Sequence, residues 1–150
     1  MAIKASFSYD AVSYLSSVQL RRLVVASLEE ALKYWKDEIQ KEHFKDSAVT
    51  RYGYQKRSKG YQIKKARKTG QTAPLVYSGD SKRMALASNK ITKSGNIVTL
   101  SIRVPDYIVY VRKSNPDLAK ELTTVTDEEL KLLYDLMEIF LNQKLSSLSK

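Results

Sequence analysis

Cysteine is absent from this sequence, and histidine occurs once, at position 43. Within these 150 residues there is therefore no disulfide, zinc ribbon, Fe–S cluster or thiol nucleophile. One histidine also excludes a multi-histidine metal site and any mechanism that needs two imidazoles. Long apolar runs are missing as well. The longest, Tyr107–Val111, falls far short of the roughly 20 residues that span a bilayer. Met1-Ala2-Ile3-Lys4-Ala5-Ser6 lacks the apolar stretch of a secretory signal. These absences predict a soluble, intracellularly made protein of a single domain, 1–150, with no membrane, metal or cofactor and little equipment for catalysis. A chain of this length buries about 68–70% of its extended surface, enough for a core without staples.

Acidic residues are scarce in one part of the chain only. Overall there are 26 Lys and Arg against 16 Asp and Glu, a net charge of +10. Residues 1–44 carry 6 basic and 6 acidic side chains, residues 45–103 carry 14 and 2, and residues 104–150 carry 6 and 8. The positive charge lives in the middle, between two nearly neutral flanks. Such a balance points to a polyanionic or acidic partner and says nothing about fold.

Both flanks read as helices. Leu20, Leu23, Val24, Leu28, Leu32, Trp35 and Ile39 recur at three- and four-residue steps, and Ser16 with Gln19 forms a capping-box pattern, predicting a helix over 17–43. Thr126-Asp127-Glu128-Glu129 is a second capping box. It opens a helix over 126–148 whose apolar face runs from Leu130 through Leu133, Tyr134, Met137, Phe140 and Leu141 to Leu145 and Leu148, with fraying expected near Ser146-Ser147. Between the flanks the period changes to two. Residues 97–104 alternate as a strand, and Asn89–Thr92 precedes Lys93-Ser94-Gly95-Asn96 as its hairpin partner. Tyr107–Arg112 reads as a further strand, Leu75-Val76-Tyr77 as a short one, and Ser81–Ala87 as a short helix capped by Asp80 or Ser81. Residues 45–72 show no period, hold three glycines and lack acids after Asp46, which reads as a long basic loop or arm.

That segment holds the candidate functional residues: Arg51, Tyr52, Tyr54, Lys56, Arg57, Lys59, Tyr61, Lys64, Lys65, Arg67 and Lys68. Three readings stand. Tyrosine and arginine would stack on exposed bases while lysine takes phosphates, giving a sequence-independent nucleic-acid binder. Or the segment is an arm that docks on a neighbouring protein subunit, with tyrosines as anchors. Or it is a solvated loop whose tyrosines cover the edge of the core. None of these is enzymatic.

Other motifs are weaker. Pro105-Asp106 followed by Glu129-Leu130-Lys131 mimics a metal-dependent nuclease arrangement, but helix capping already explains those acids. His43 lacks an evident nucleophile or orienting partner and reads as a helix-end or packing residue beside Phe44. Ser78-Gly79-Asp80-Ser81-Lys82-Arg83 lacks phosphate-loop spacing. Trp35 belongs to the apolar face of its helix.

The order of segments resembles the tailed-bacteriophage neck, tail-completion and virion-morphogenesis proteins. The resemblance is carried by His43-Phe44 after the Trp-bearing helix, then Arg51-Tyr52-Gly53-Tyr54 and Lys56-Arg57-Ser58-Lys59-Gly60-Tyr61. Lys64-Lys65-Ala66-Arg67-Lys68, Pro74-Leu75-Val76-Tyr77-Ser78-Gly79 and Lys82-Arg83 come after these. It is densest over 35–83, and the hairpin and capped C-terminal helix agree in order. The sequence departs at Asn115–Thr124, where a Pro-Arg-type turn is expected and Asn115-Pro116-Asp117-Leu118-Ala119-Lys120-Glu121 stands instead.

The resemblance implies an α+β fold: a small antiparallel sheet with a long N-terminal helix and a C-terminal helix packed on it, plus the basic arm. It implies a non-enzymatic ring of identical subunits in the virion, assembled in the host cytoplasm. Its partners would be a portal-side adaptor and a tail terminator or tail tube protein, with genomic DNA passing through the lumen. The basic residues of the arm are expected to contact protein, either the acidic side of the last helix or an acidic adaptor. Deleting 47–70 is expected to spare the two helices and the hairpin.

Overall fold

A computed structural model describes residues 1–6, 15–76, 79–87, 89–109 and 117–148. Three antiparallel strands form a sheet in the order β1-β3-β2: β1 Ala2–Ser6, β2 Asn89–Ser94 and β3 Ile97–Ile102. The hairpin falls where the alternation placed it. Ser94 pairs with Ile97 across a two-residue loop, and Gly95 takes the positive φ of 58° that such a loop needs. Val98, Leu100 and Ile102 of the central strand point inward and are buried. β1, which the sequence pattern does not announce, adds to the free edge of β3 with Ile3 opposite Leu100.

Helix α1, Ser17–Tyr34, lies across the inner face of β3, and α7, Asp127–Leu148, packs along α1. The expected caps are in place. The Ser16 side chain accepts from the Gln19 N–H while the Gln19 side chain reaches back to the Ser16 N–H. Thr126 and Glu129 do the same at the start of α7, at 3.2 and 3.3 Å. α7 remains helical through Ser146 and Ser147, whose hydroxyls donate to Asn142 and Lys144 carbonyls, so the expected fraying does not occur there.

The first helical run departs from the sequence reading in kind. After Tyr34 it loosens to a π turn over Trp35–Ile39, with the Gln40 N–H donating to the Trp35 carbonyl, and then tightens to a 3₁₀ turn over Gln40–Phe44. One inserted residue rotates the remainder of the run by about 100° about the axis. The inward face, Leu28, Leu32 and Trp35, is thereby continued by Ile39, Gln40, His43 and Phe44, all buried.

Residues 45–72 are not an unstructured loop. They contain α2, Ala48–Arg51, an extended piece through Ser58, and α3, Lys59–Thr69. α3 starts at a Ser58 cap that accepts from the Tyr61 N–H and stops at Gly70, whose φ of 67° only glycine adopts readily. Three further expectations change. The stretch after Pro105 forms a short helix, α5 Asp106–Val109, in place of a strand; residues 110–112 lie outside those described. Leu75 has a φ of 59°, which no strand accepts, and Tyr77 lies outside the described residues. Helix α4 spans Asp80–Ala87, but Ser81 does not cap it: its hydroxyl donates to the Leu75 carbonyl in the interior. Within the stretch 115–124, α6 spans Leu118–Thr123 and is capped by the Asp117 carboxylate. Among the described residues no helix is long and apolar enough to cross a membrane.

Candidate functional site

The eleven candidate residues separate into an inner and an outer set. Tyr52 and Tyr54 are core residues, beside Phe44, Ala48 and Trp35. They flank His43. The imidazole stacks on the Tyr52 ring at 3.9 Å between centroids with 11° between planes, and its Nδ1 lies 2.5 Å from the Tyr54 hydroxyl. The same nitrogen lies 3.2 Å from the Glu121 carbonyl oxygen. A carbonyl only accepts, so the proton sits on Nδ1 in the tautomer that serves this contact.

Two buried glutamates, neither of which the sequence reading connected to the basic segment, organise the arginines. Glu121 receives a two-pronged contact from Arg57, Nη1 to Oε1 at 2.7 Å and Nη2 to Oε2 at 2.5 Å, and also accepts from the Gln55 N–H at 3.0 Å. Glu129 accepts from the Tyr52 hydroxyl at 2.7 Å and from Arg51 at 3.0 Å. Glu129 is thus both the capping residue of α7 and the anchor of the tyrosine, a double role that the capping pattern alone conceals. The effect is a clasp. It ties residues 51–57 to the first turn of α7, to α6 and to the end of the N-terminal helical run.

Electrostatics reflect burial. His43 is fully enclosed, and loss of solvation pushes its pKa down to about 4; the nearby Arg51 cation adds to this, against the Glu121 carbonyl. Tyr52 and Tyr54 are raised well above the ordinary phenol range, first by burial and then by glutamate, with the bond to Glu129 counting for Tyr52. All three side chains are neutral at pH 7. The imidazole is a spacer between two phenols. Neither surface hollow, one at Met1, Lys90 and Arg103 and one on α3, is lined by any of the three. Among the described residues no cluster of acids and histidine could hold a metal ion, and Glu129, the acid of the nuclease-like pattern, is engaged by Tyr52 and Arg51.

Lys65 is also interior. Its ammonium donates to the Ala73 carbonyl at 2.5 Å, and burial lowers its pKa. Arg51 stands at the boundary, paired with Glu129 yet exposed, and the outer set is Lys56, Lys59, Tyr61, Lys64, Arg67 and Lys68, all exposed and all but Lys56 on α3. Thus only one of the three tyrosines is available to a partner.

The sequence reading placed the partner contacts in the basic segment and missed a second exposed surface. α7 uses Leu133 and Met137 against the core, but Leu130, Leu132, Tyr134, Ile139 and Leu148 face solvent. The signal was present in the sequence: α7 has more apolar positions than one helix-packing stripe can cover. No protein-family model, no curated protein and no solved structure matches this chain.

Proposed function

We propose that this chain is a structural protein of a tailed-bacteriophage virion, of the neck or tail-completion type, that forms a non-catalytic ring at the head–tail junction. The observation that supports this most directly is the apolar edge of α7, where Tyr134 is 56% and Leu130 46% exposed. Leu130 and Tyr134 are neighbours one turn apart, with Leu148 on the same side, and large apolar side chains grouped in water in this way mark a surface that another protein covers. The segment series from Trp35 to Arg83 adds the family resemblance, and the α+β architecture is the one that resemblance implies. On this reading the partners are further copies of the chain, a portal-side adaptor, and a tail terminator or tail tube protein. The site of action is the virion, with assembly in the host cytoplasm and DNA passing through the lumen.

The clasp has a clear place in such a subunit. By pairing Arg57 with a buried glutamate and Arg51 with Glu129 it ties residues 51–57, just ahead of α3, to the rest of the subunit. A second reading, sequence-independent nucleic-acid binding, draws on the four exposed cations of α3. Within the basic segment 51–68 it has one exposed aromatic ring to work with, Tyr61, because Tyr52 and Tyr54 are enclosed.

Light scattering of the purified protein across salt, with and without duplex DNA, separates the two. The ring reading expects a multi-subunit species that persists through moderate salt and ignores DNA at physiological salt. A monomer that binds any duplex, with affinity falling steeply in log–log terms as salt rises, overturns it. In the phage itself, loss of the chain is expected to leave filled heads and tails unjoined under the electron microscope.

A further inference from the structure

We infer that the uncovered edge of α7 is covered by α3 of a neighbouring copy of the same chain, in a head-to-tail contact that repeats around the assembly. This rests on the ring reading and names its interface.

α3 is built as a donor surface. Gly60, Ile63, Lys64, Arg67 and Lys68 fall at steps of three, one, three and one, so they share one helical face, and together they line a shallow hollow. Ile63 in the middle is 54% exposed, and no atom approaches the Gly60 position closely, which leaves room for a partner side chain at one end. Among the described residues α3 packs extensively on no other helix or strand. Four exposed cations stand on it, Lys59, Lys64, Arg67 and Lys68, with no acid among its residues.

α7 offers the matching acceptor. Leu130 and Tyr134 stand one turn apart in water, and half-buried Leu141 and exposed Leu148 continue their line at seven-residue steps, a strip that a second helix can pack against. Its solvent face carries Asp127, Glu128, Asp135 and Glu138 against the single exposed cation Lys131. An apolar strip bordered by acids thus meets an apolar centre bordered by cations, and opposite charge fixes both register and partner.

The charges also argue against α7 pairing with α7 of a second copy. An antiparallel pair would bring Asp135 and Glu138 of both chains together, and like charges in contact oppose association. A contact between two different surfaces is heterologous, and heterologous contacts close into rings when the rotation per subunit allows.

The absence of cysteine makes the test clean. Ile63→Cys and Tyr134→Cys are prepared separately in the full chain; both positions are exposed, so neither substitution disturbs the core. Each variant alone, and the two mixed, are treated with a short bis-maleimide and resolved by denaturing electrophoresis. The mixture is expected to yield about tenfold more covalent dimer than either variant alone, and the doubly substituted chain a ladder, as a heterologous interface requires. Equal linking by Tyr134→Cys alone, or no dimer in any sample, overturns the contact. As a second arm, Lys64→Glu with Arg67→Glu is expected to abolish the oligomer in light scattering. Combining that change with Asp135→Lys and Glu138→Lys in the same chain is expected to restore it; no restoration overturns the contact. An oligomer without the 63–134 link defeats this interface and leaves the ring reading standing. Heads and tails that join normally without the protein defeat the ring reading itself.

Discussion

Acidification is expected to destabilise this protein in part through one imidazole. His43 is fully enclosed between Tyr52 and Tyr54 and titrates at about 4, against 6.5 for a free side chain. The unfolded chain therefore binds a proton at pH 4–6.5 that the folded chain refuses. Stability rises with pH wherever the unfolded state holds more protons, so the neutral imidazole favours the fold above pH 6.5. That advantage is lost as the pH falls toward 4. One pK unit corresponds to about 1.4 kcal/mol, so the ceiling is about 3 kcal/mol, of which about 2 kcal/mol has gone by pH 5. The assay is urea unfolding at pH 7.5 and pH 5, monitored by the fluorescence of Trp35, the only tryptophan and itself fully buried. His43→Gln keeps an amide donor near the Glu121 carbonyl and removes the titration. The wild type is expected to lose about 2 kcal/mol more than this variant between the two pH values, isolating the histidine from carboxylates that also protonate in acid. Equal losses in the two proteins would refute the assignment of His43 as a buried neutral group.

The clasp carries three further expectations. Glu121→Gln leaves the Arg57 guanidinium in a largely enclosed site without its counter-charge and is expected to cost about 3 kcal/mol, read as a lower urea midpoint; an unchanged midpoint would show that Arg57 swings out to water. Tyr52→Phe keeps the ring stacked on His43 and removes one of the hydrogen bonds to Glu129, for an expected loss of about 1–2 kcal/mol in the same assay. Deleting 47–70 removes Ala48, Tyr52 and Tyr54 from the core and strands two buried glutamates, so circular dichroism is expected to show loss of the native helices; a deletion that keeps full helicity would restore the removable-arm expectation.

The two long helices and the hairpin were legible because each is specified by neighbours in sequence. Ser16 with Gln19 and Thr126 with Glu129 mark helix starts whose bonding is local, and the alternation over 97–102 needs only one buried face. β1 was not legible, because five residues of modest strand preference gain their order from pairing with β3, about a hundred positions away. The π turn was equally hidden: it exists because Gln40 and His43 have partners inside, at Ala85, Asn89, Tyr54 and Glu121.

The basic segment shows most plainly what each level decides. Its charge surplus and its Tyr and Arg content are properties of the sequence alone, and they drew attention to 51–68 before any fold was known. Which of those residues face outward is a tertiary matter. Glu121, 64 residues further on, draws Arg57 in, Glu129 pairs with an Arg51 that stays half in water, and burial against His43 withdraws two of the three tyrosines. The sign of the charge, the caps and the periodicities needed nothing beyond the order of residues, because those features are local. That Tyr52, Tyr54 and Lys65 of the basic segment are interior, and that α7 keeps apolar side chains in water, emerged only on packing, because burial is a property of distant residues brought together.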